Sequence, residues 1–173
     1  MIFEYPKRLV IVFALIASCI VNAQDEVLTP EIMFTVDIGV AGSDQGNAVA
    51  VDPEGYSYFV GKISSGGVAN VIALNSFQGG ASDGFIAKYS KLGDPIWMRF
   101  YGGSDNDVLT GVTISSSGEI YVCGVTSSVN LESPNNSYEG ADDVFCAALD
   151  SDGNLLWSTY LGGSANETSG DIS

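Results

Sequence analysis

Three landmarks in this chain recur at one spacing. Tyr101-Gly102-Gly103-Ser104 returns as Leu161-Gly162-Gly163-Ser164, Asp83-Gly84-Phe85-Ile86-Ala87 returns as Asp143-Val144-Phe145-Cys146-Ala147, and Trp97 returns as Trp157, each 60 residues later. Tyr58-Phe59-Val60-Gly61 returns as Tyr121-Val122-Cys123-Gly124 after 63 residues, so insertions fall between landmarks, where loops absorb them. A period of this length confines the chain to folds in which one supersecondary unit stacks on the next. A single unit cannot bury its apolar face alone.

Within one period the pattern predicts four short strands. The first covers 48–51 and 111–114, and it ends at Asp52-Pro53-Glu54-Gly55 or Ser115-Ser116-Ser117-Gly118, a tight turn whose last glycine can take positive φ. The second covers 56–63 and 119–126. A longer polar loop leads to the third, at 85–89 and 144–149, and a turn at Gly93 or Gly153 returns the chain as the fourth, at 96–101 and 156–161. Consecutive strands joined by short turns give an antiparallel meander. Ala48-Val49-Ala50-Val51 and Phe85-Ile86-Ala87 are apolar at successive positions, so both faces of the sheet need cover, which stacked sheets supply.

The expected fold is therefore all-β, built of four-stranded antiparallel meander blades of a β-propeller. Tyr160-Leu161-Gly162-Gly163-Ser164, Tyr121-Val122-Cys123-Gly124-Val125-Thr126-Ser127-Ser128 and Asp143-Val144-Phe145-Cys146-Ala147-Ala148-Leu149-Asp150, with Gly153-Asn154, resemble the SBBP family of bacterial β-propeller repeats. The resemblance spans 34–173, although Gly39-Val40-Ala41-Gly42 lacks the paired glycines and 64–77 is irregular. It implies an exported or cell-surface propeller protein and brings no catalytic motif. Blade 1 is expected at about 44–101, blade 2 at about 105–161 and the start of blade 3 at 162–173, within a propeller segment 33–173. Closed propellers take about four to eight blades, so the ring is incomplete and a longer parent is expected, with assembly of several chains as the alternative. Residues 33–38 resemble a fourth strand without its first three.

Lys7 and Arg8 precede an apolar run over 9–21, and Val21-Asn22-Ala23 supplies a small-residue cleavage pattern before Gln24, so 1–23 is expected to be an export signal and 24–32 a linker. The run is too short for a spanning helix, which needs about 20 apolar residues. Ile16-Ala17-Ser18-Cys19 also resembles a lipobox, which would anchor the mature chain through Cys19. Either route leads out of the cytoplasm.

Loss of 1–23 leaves four basic residues (Lys62, Lys88, Lys91, Arg99) against 20 acidic ones, a net charge of −16. Nucleic acid is disfavoured, since such a surface repels phosphate. The chain has no histidine, which removes Ser-His-Asp, Cys-His and His-ligated metal chemistry. Two acidic groups are candidates for sites. Asp150-Ser151-Asp152-Gly153-Asn154 resembles the opening of a calcium loop, making Asp150, Asp152 and Asn154 candidate Ca²⁺ ligands, with a plain hairpin turn as the competing reading. Asp44, Asp105, Asp107 and Glu167 follow the fourth strands, where a ring of carboxylates on one face would hold a cation or polar ligand, with plain solvation of an acidic loop as the competing reading. Asp142-Asp143 is discounted as a glycosidase pair, because neighbours on a strand point to opposite faces.

Cys123 and Cys146 stand where the first copy has Val60 and Ile86, so they read as small buried hydrophobes, with a disulfide between second and third strands left open. What recurs specifies packing, and what varies is loop polarity. The chain is accordingly expected to be a non-enzymatic scaffold or recognition module for an extracellular protein or glycan, with self-association through unfinished blades. A calcium-stabilised adhesion element and a fragment of a propeller hydrolase or lyase are the alternatives.

Overall fold

The computed structural model describes residues 9–12, 35–38, 42–64 and 71–173. All regular structure among them is strand, and no helix there is long and apolar enough to cross a membrane. Leu9–Val12 (β1) and Thr35–Ile38 (β2) form an antiparallel pair. The first four-stranded sheet follows as Gln45–Val51 (β3), Ser57–Ile63 (β4), Asp83–Tyr89 (β5) and Pro95–Tyr101 (β6). The second contains Asp107–Ile114 (β7), Ile120–Thr126 (β8), Asp143–Leu149 (β9) and Leu155–Leu161 (β10). Both are antiparallel meanders in sequence order.

The turns form as their residues dictate. In each hairpin the glycine is left-handed, with φ of 88° at Gly55, 86° at Gly93, 85° at Gly118 and 83° at Gly153. Its N–H donates to the carbonyl three residues back, at 2.9–3.0 Å. The first strands begin earlier than the apolar pattern indicates, at Gln45 and Asp107, because a bulge lies between Gly46 and Ala48 in β3 and between Leu109 and Gly111 in β7. The added residue shifts the facing alternation, so the polar start of each strand carries no period-two signal. Opposite these bulges Gly61 and Gly124 meet a carbonyl so closely that a Cβ would lie 1.9 Å from Gln45 O or 2.0 Å from Val108 O.

The sheets stack head to tail. Tyr58, Val60, Ile86, Trp97 and Tyr101 of the first face Leu109, Ile120, Val122, Phe145, Ala147 and Tyr160 of the second in one core. Tyr101 stacks on Phe145 with ring centroids 5.1 Å apart. The opposite face of the first sheet, with Phe59, Phe85, Ala87, Tyr89 and Phe100, is covered by Ile38, Val71 and Phe77. These residues occupy the repeat positions of Val122, Phe145, Ala147, Leu149 and Tyr160, so each sheet presents one kind of face forward and the other backward.

Of the orphan fourth strand expected at 33–38, Thr35–Ile38 forms. It gains a partner from Leu9–Val12, which lies inside the expected export signal. The remainder of 1–23, Cys19 included, and the linker 24–32 lie outside the described residues.

Candidate functional site

The long connections do more than cross the surface. Leu74 N–H donates to Met98 O at 2.7 Å, and Asn135 N–H donates to Ser158 O at 2.9 Å, so each loop runs beside a fourth strand and closes its open edge. One asparagine completes each cover. The Asn75 amide donates to Phe100 O at 2.9 Å and accepts from Phe100 N at 2.8 Å. Asn136 makes the same two bonds with Tyr160, both at 2.8 Å. Sequence reasoning missed both residues. Their signal was weak but present, since the offset of 61 residues sits beside the 60-residue landmarks.

The candidate carboxylates lie at the junction between sheets. Asp107 is buried, its Oδ2 accepts from Gly103 N at 2.8 Å and Ser128 Oγ at 2.9 Å, and its Oδ1 accepts from Thr126 Oγ1. Burial pushes its carboxyl up, the three hydrogen bonds oppose that rise, and Asp105 adds to it. A Cβ on Gly102 would fall 2.4 Å from Asp107 Oδ2, and one on Gly162 would fall 2.4 Å from Asp143 Oδ1 and 2.8 Å from Glu167 Oε2. The first glycine of each recurrent pair is thus the space that these carboxylates need. Asp107 N–H donates to Ser82 O at 2.8 Å and Glu167 N–H to Asp142 O at 2.9 Å, which makes them equivalent junction residues. Asp44 accepts from Ser64 N at 2.9 Å, and Asp105 is exposed, its N–H donating to Ser128 Oγ at 2.9 Å. The four are placed at equivalent junctions, but Asp107 faces inward and directs both oxygens to the chain.

Asp150, Asp152 and Asn154 form a hairpin tip. Asp150 Oδ1 accepts from Asp152 N at 3.0 Å and Asn154 N at 2.9 Å, while Oδ2 accepts from the Asn154 amide at 2.9 Å. Slight burial acts upward on the Asp150 carboxyl, but these bonds with the Gly153 N–H hold it below the usual carboxylate range. The counterpart Ser90 does the same with its hydroxyl, accepting from Leu92 N at 3.2 Å and Asp94 N at 3.1 Å. A common turn thus accounts for both sequences. Among the described residues no group of three or more Asp, Glu, Cys or His side chains is placed to hold a metal.

The residues that do converge line a groove of about 870 Å³ between β3 and β7. Gln45, Asn47, Lys62, Asn106, Thr110 and Asp142 are among its walls. Asn47 reaches across it, donating to Leu109 O at 2.6 Å, and Asp142 accepts from Ser127 Oγ at 2.5 Å. The groove exists because β7 lies against β3, β4 and β5, so the polar starts of two first strands come together. Amides, hydroxyls, one ammonium and two carboxylates, Asp142 and the buried Asp107, suit a polar, hydrogen-bonding ligand.

No family model matches the chain. It is similar to the regulatory protein FlaEY of Caulobacter vibrioides, at 26% identity over 147 residues covering 82% of this chain. The chain spans about 15% of that relative's length.

Proposed function

We propose that this chain is a segment of a β-propeller displayed outside the cytoplasm, acting as a non-enzymatic scaffold that recognises an extracellular protein or glycan. The observation that carries the reading is the polar groove between β3 and β7. The propeller reading is supported by two equivalent sheets stacked front to back, with their first strands adjacent. Recognition is supported by the groove's chemistry, since amides and hydroxyls pair with the hydroxyls of a sugar or the main chain of a peptide. The export reading rests on 1–23 and carries its own check, a mature chain beginning at Gln24. The word regulatory in the matched relative's name specifies no substrate, and none is carried over.

Glycan and peptide arrays probed with the full chain test the groove. Binding that weakens at least tenfold in Gln45→Ala and Lys62→Glu supports it, and binding indifferent to both variants refutes it. Turnover of a polysaccharide, glycoside or peptide that disappears in Asp105→Ala would replace the non-enzymatic reading with a carboxylate hydrolase.

A further inference from the structure

The two cysteines that the sequence reads as small buried hydrophobes, with a disulfide between them left open, are brought into direct opposition. Cys123 on β8 is the register partner of Cys146 on β9, so both side chains leave the same face of the sheet. The kind of pair follows from the neighbouring strands. Asp150 N–H donates to Asn154 O at 2.9 Å, so Asp150 directs its backbone groups toward β10, and strand alternation gives Ala148 and Cys146 that direction too. The Cys123 carbonyl accepts from Thr110 Oγ1 at 3.4 Å and therefore points toward β7. Neither cysteine bonds its backbone to the other. A non-hydrogen-bonded pair has Cα atoms about 4.5 Å apart with the side chains drawn close, inside the span of about 4.4–6.8 Å that a disulfide bridges.

Their surroundings differ in a useful way. Cys146 is half-buried, whereas Cys123 is buried with its Sγ 3.6 Å from Gly170 O. The first sheet has Val60 opposite Ile86 at the same positions, under the second sheet. In the second sheet the pair lies on the forward face, where Trp157 and Leu161 are exposed.

We propose that Cys123 and Cys146 are a redox-active dithiol, closed by a low-molecular-weight disulfide into a bond that ties β8 to β9. The less buried Cys146 attacks as its thiolate one sulfur of the oxidant, whose S–S bond breaks and whose departing thiolate takes up the proton that Cys146 released. Cys123, deprotonated in turn, attacks Cys146 Sγ of the mixed disulfide and expels the second thiolate, which takes the Cys123 proton. Two cysteine sulfurs give up two electrons and the oxidant becomes two thiols. The new bond removes the thiol that contacts Gly170.

The folded full-length chain incubated with oxidised glutathione, then digested without reduction, tests this. The expected product is a peptide linking Cys123 to Cys146, two hydrogens lighter than the separate peptides, with a urea midpoint that rises on oxidation and returns on reduction. Cys123→Ser is expected to stop with glutathione on Cys146. Two outcomes overturn the proposal: glutathione retained on wild-type Cys146 beside an unreacted Cys123, or a folded chain that never forms the link while the urea-unfolded chain does. If the variant does not fold, the wild-type digest alone decides.

Discussion

Asp83 shows what a single side chain contributes at the sheet junction. It is fully buried, accepts from Gln78 N and leaves Oδ1 without a hydrogen-bond partner. Burial pushes its carboxyl up to about 6, the Gln78 N–H opposes the rise, Asp107 adds to it, and the Gly79 N–H opposes it. A carboxyl that binds its proton more tightly folded than unfolded stabilises the fold at pH values below its unfolded pKa near 4. That contribution is lost as pH rises through about 6. Stability from this group should therefore fall between pH 4 and 7, against the usual behaviour of paired carboxylates. Urea unfolding of Asp83→Asn across this range is expected to show a flatter profile than wild type. A profile of unchanged slope would mean that Asp83 titrates as it does in the unfolded chain.

At the scale of the element, the loop between second and third strands is a structural member of the sheet. Asn75 and Asn136 each satisfy one donor and one acceptor of a fourth strand that, among the described residues, no further strand pairs. Alanine at either position removes two hydrogen bonds and should cost about 1–3 kcal/mol. The asparagines belong to different sheets, so the costs should add in the double variant. Urea midpoints measure this, and a neutral result would show that water fully replaces the amide. The sequence disclosed the strands and tight turns because glycine positions and apolar runs are local signals. It did not disclose the loop's role, because Asn75 lies 25 residues from the backbone that it holds.

At the scale of the molecule, the two tryptophans of the repeat have different fates. Trp97 is 6% exposed and lies edge-on to Tyr58 under the second sheet, whereas Trp157, in the same register beside Tyr121, is 37% exposed. Tyr101 is likewise 2% exposed and its counterpart Leu161 50%. Exposed apolar surface of this kind favours association. Sedimentation of the wild-type chain should show a mass that rises with concentration, and Trp157→Arg with Leu161→Lys should suppress the rise while the fold persists. Trp97→Arg should instead unfold the chain, since it puts a charge into a closed core at a cost of several kcal/mol. A wild-type chain monomeric at all concentrations would show that this face needs no cover.

The sequence by itself determined the repeat, the all-β class, the four-strand order within each unit and the four glycine turns. Each of these depends on residues a few positions apart, or on one pattern written twice. The tertiary structure decided which copy of a repeated residue is buried, because that depends on which sheet stands in front of it. It also decided that Asp107 faces inward to Gly103, Thr126 and Ser128, and that Cys123 and Cys146, separated by a long loop, are opposed across a strand pair. The groove between β3 and β7 has the same origin. It is lined by residues from two repeats, and only the stacking of one sheet on the other brings their polar ends to a single place.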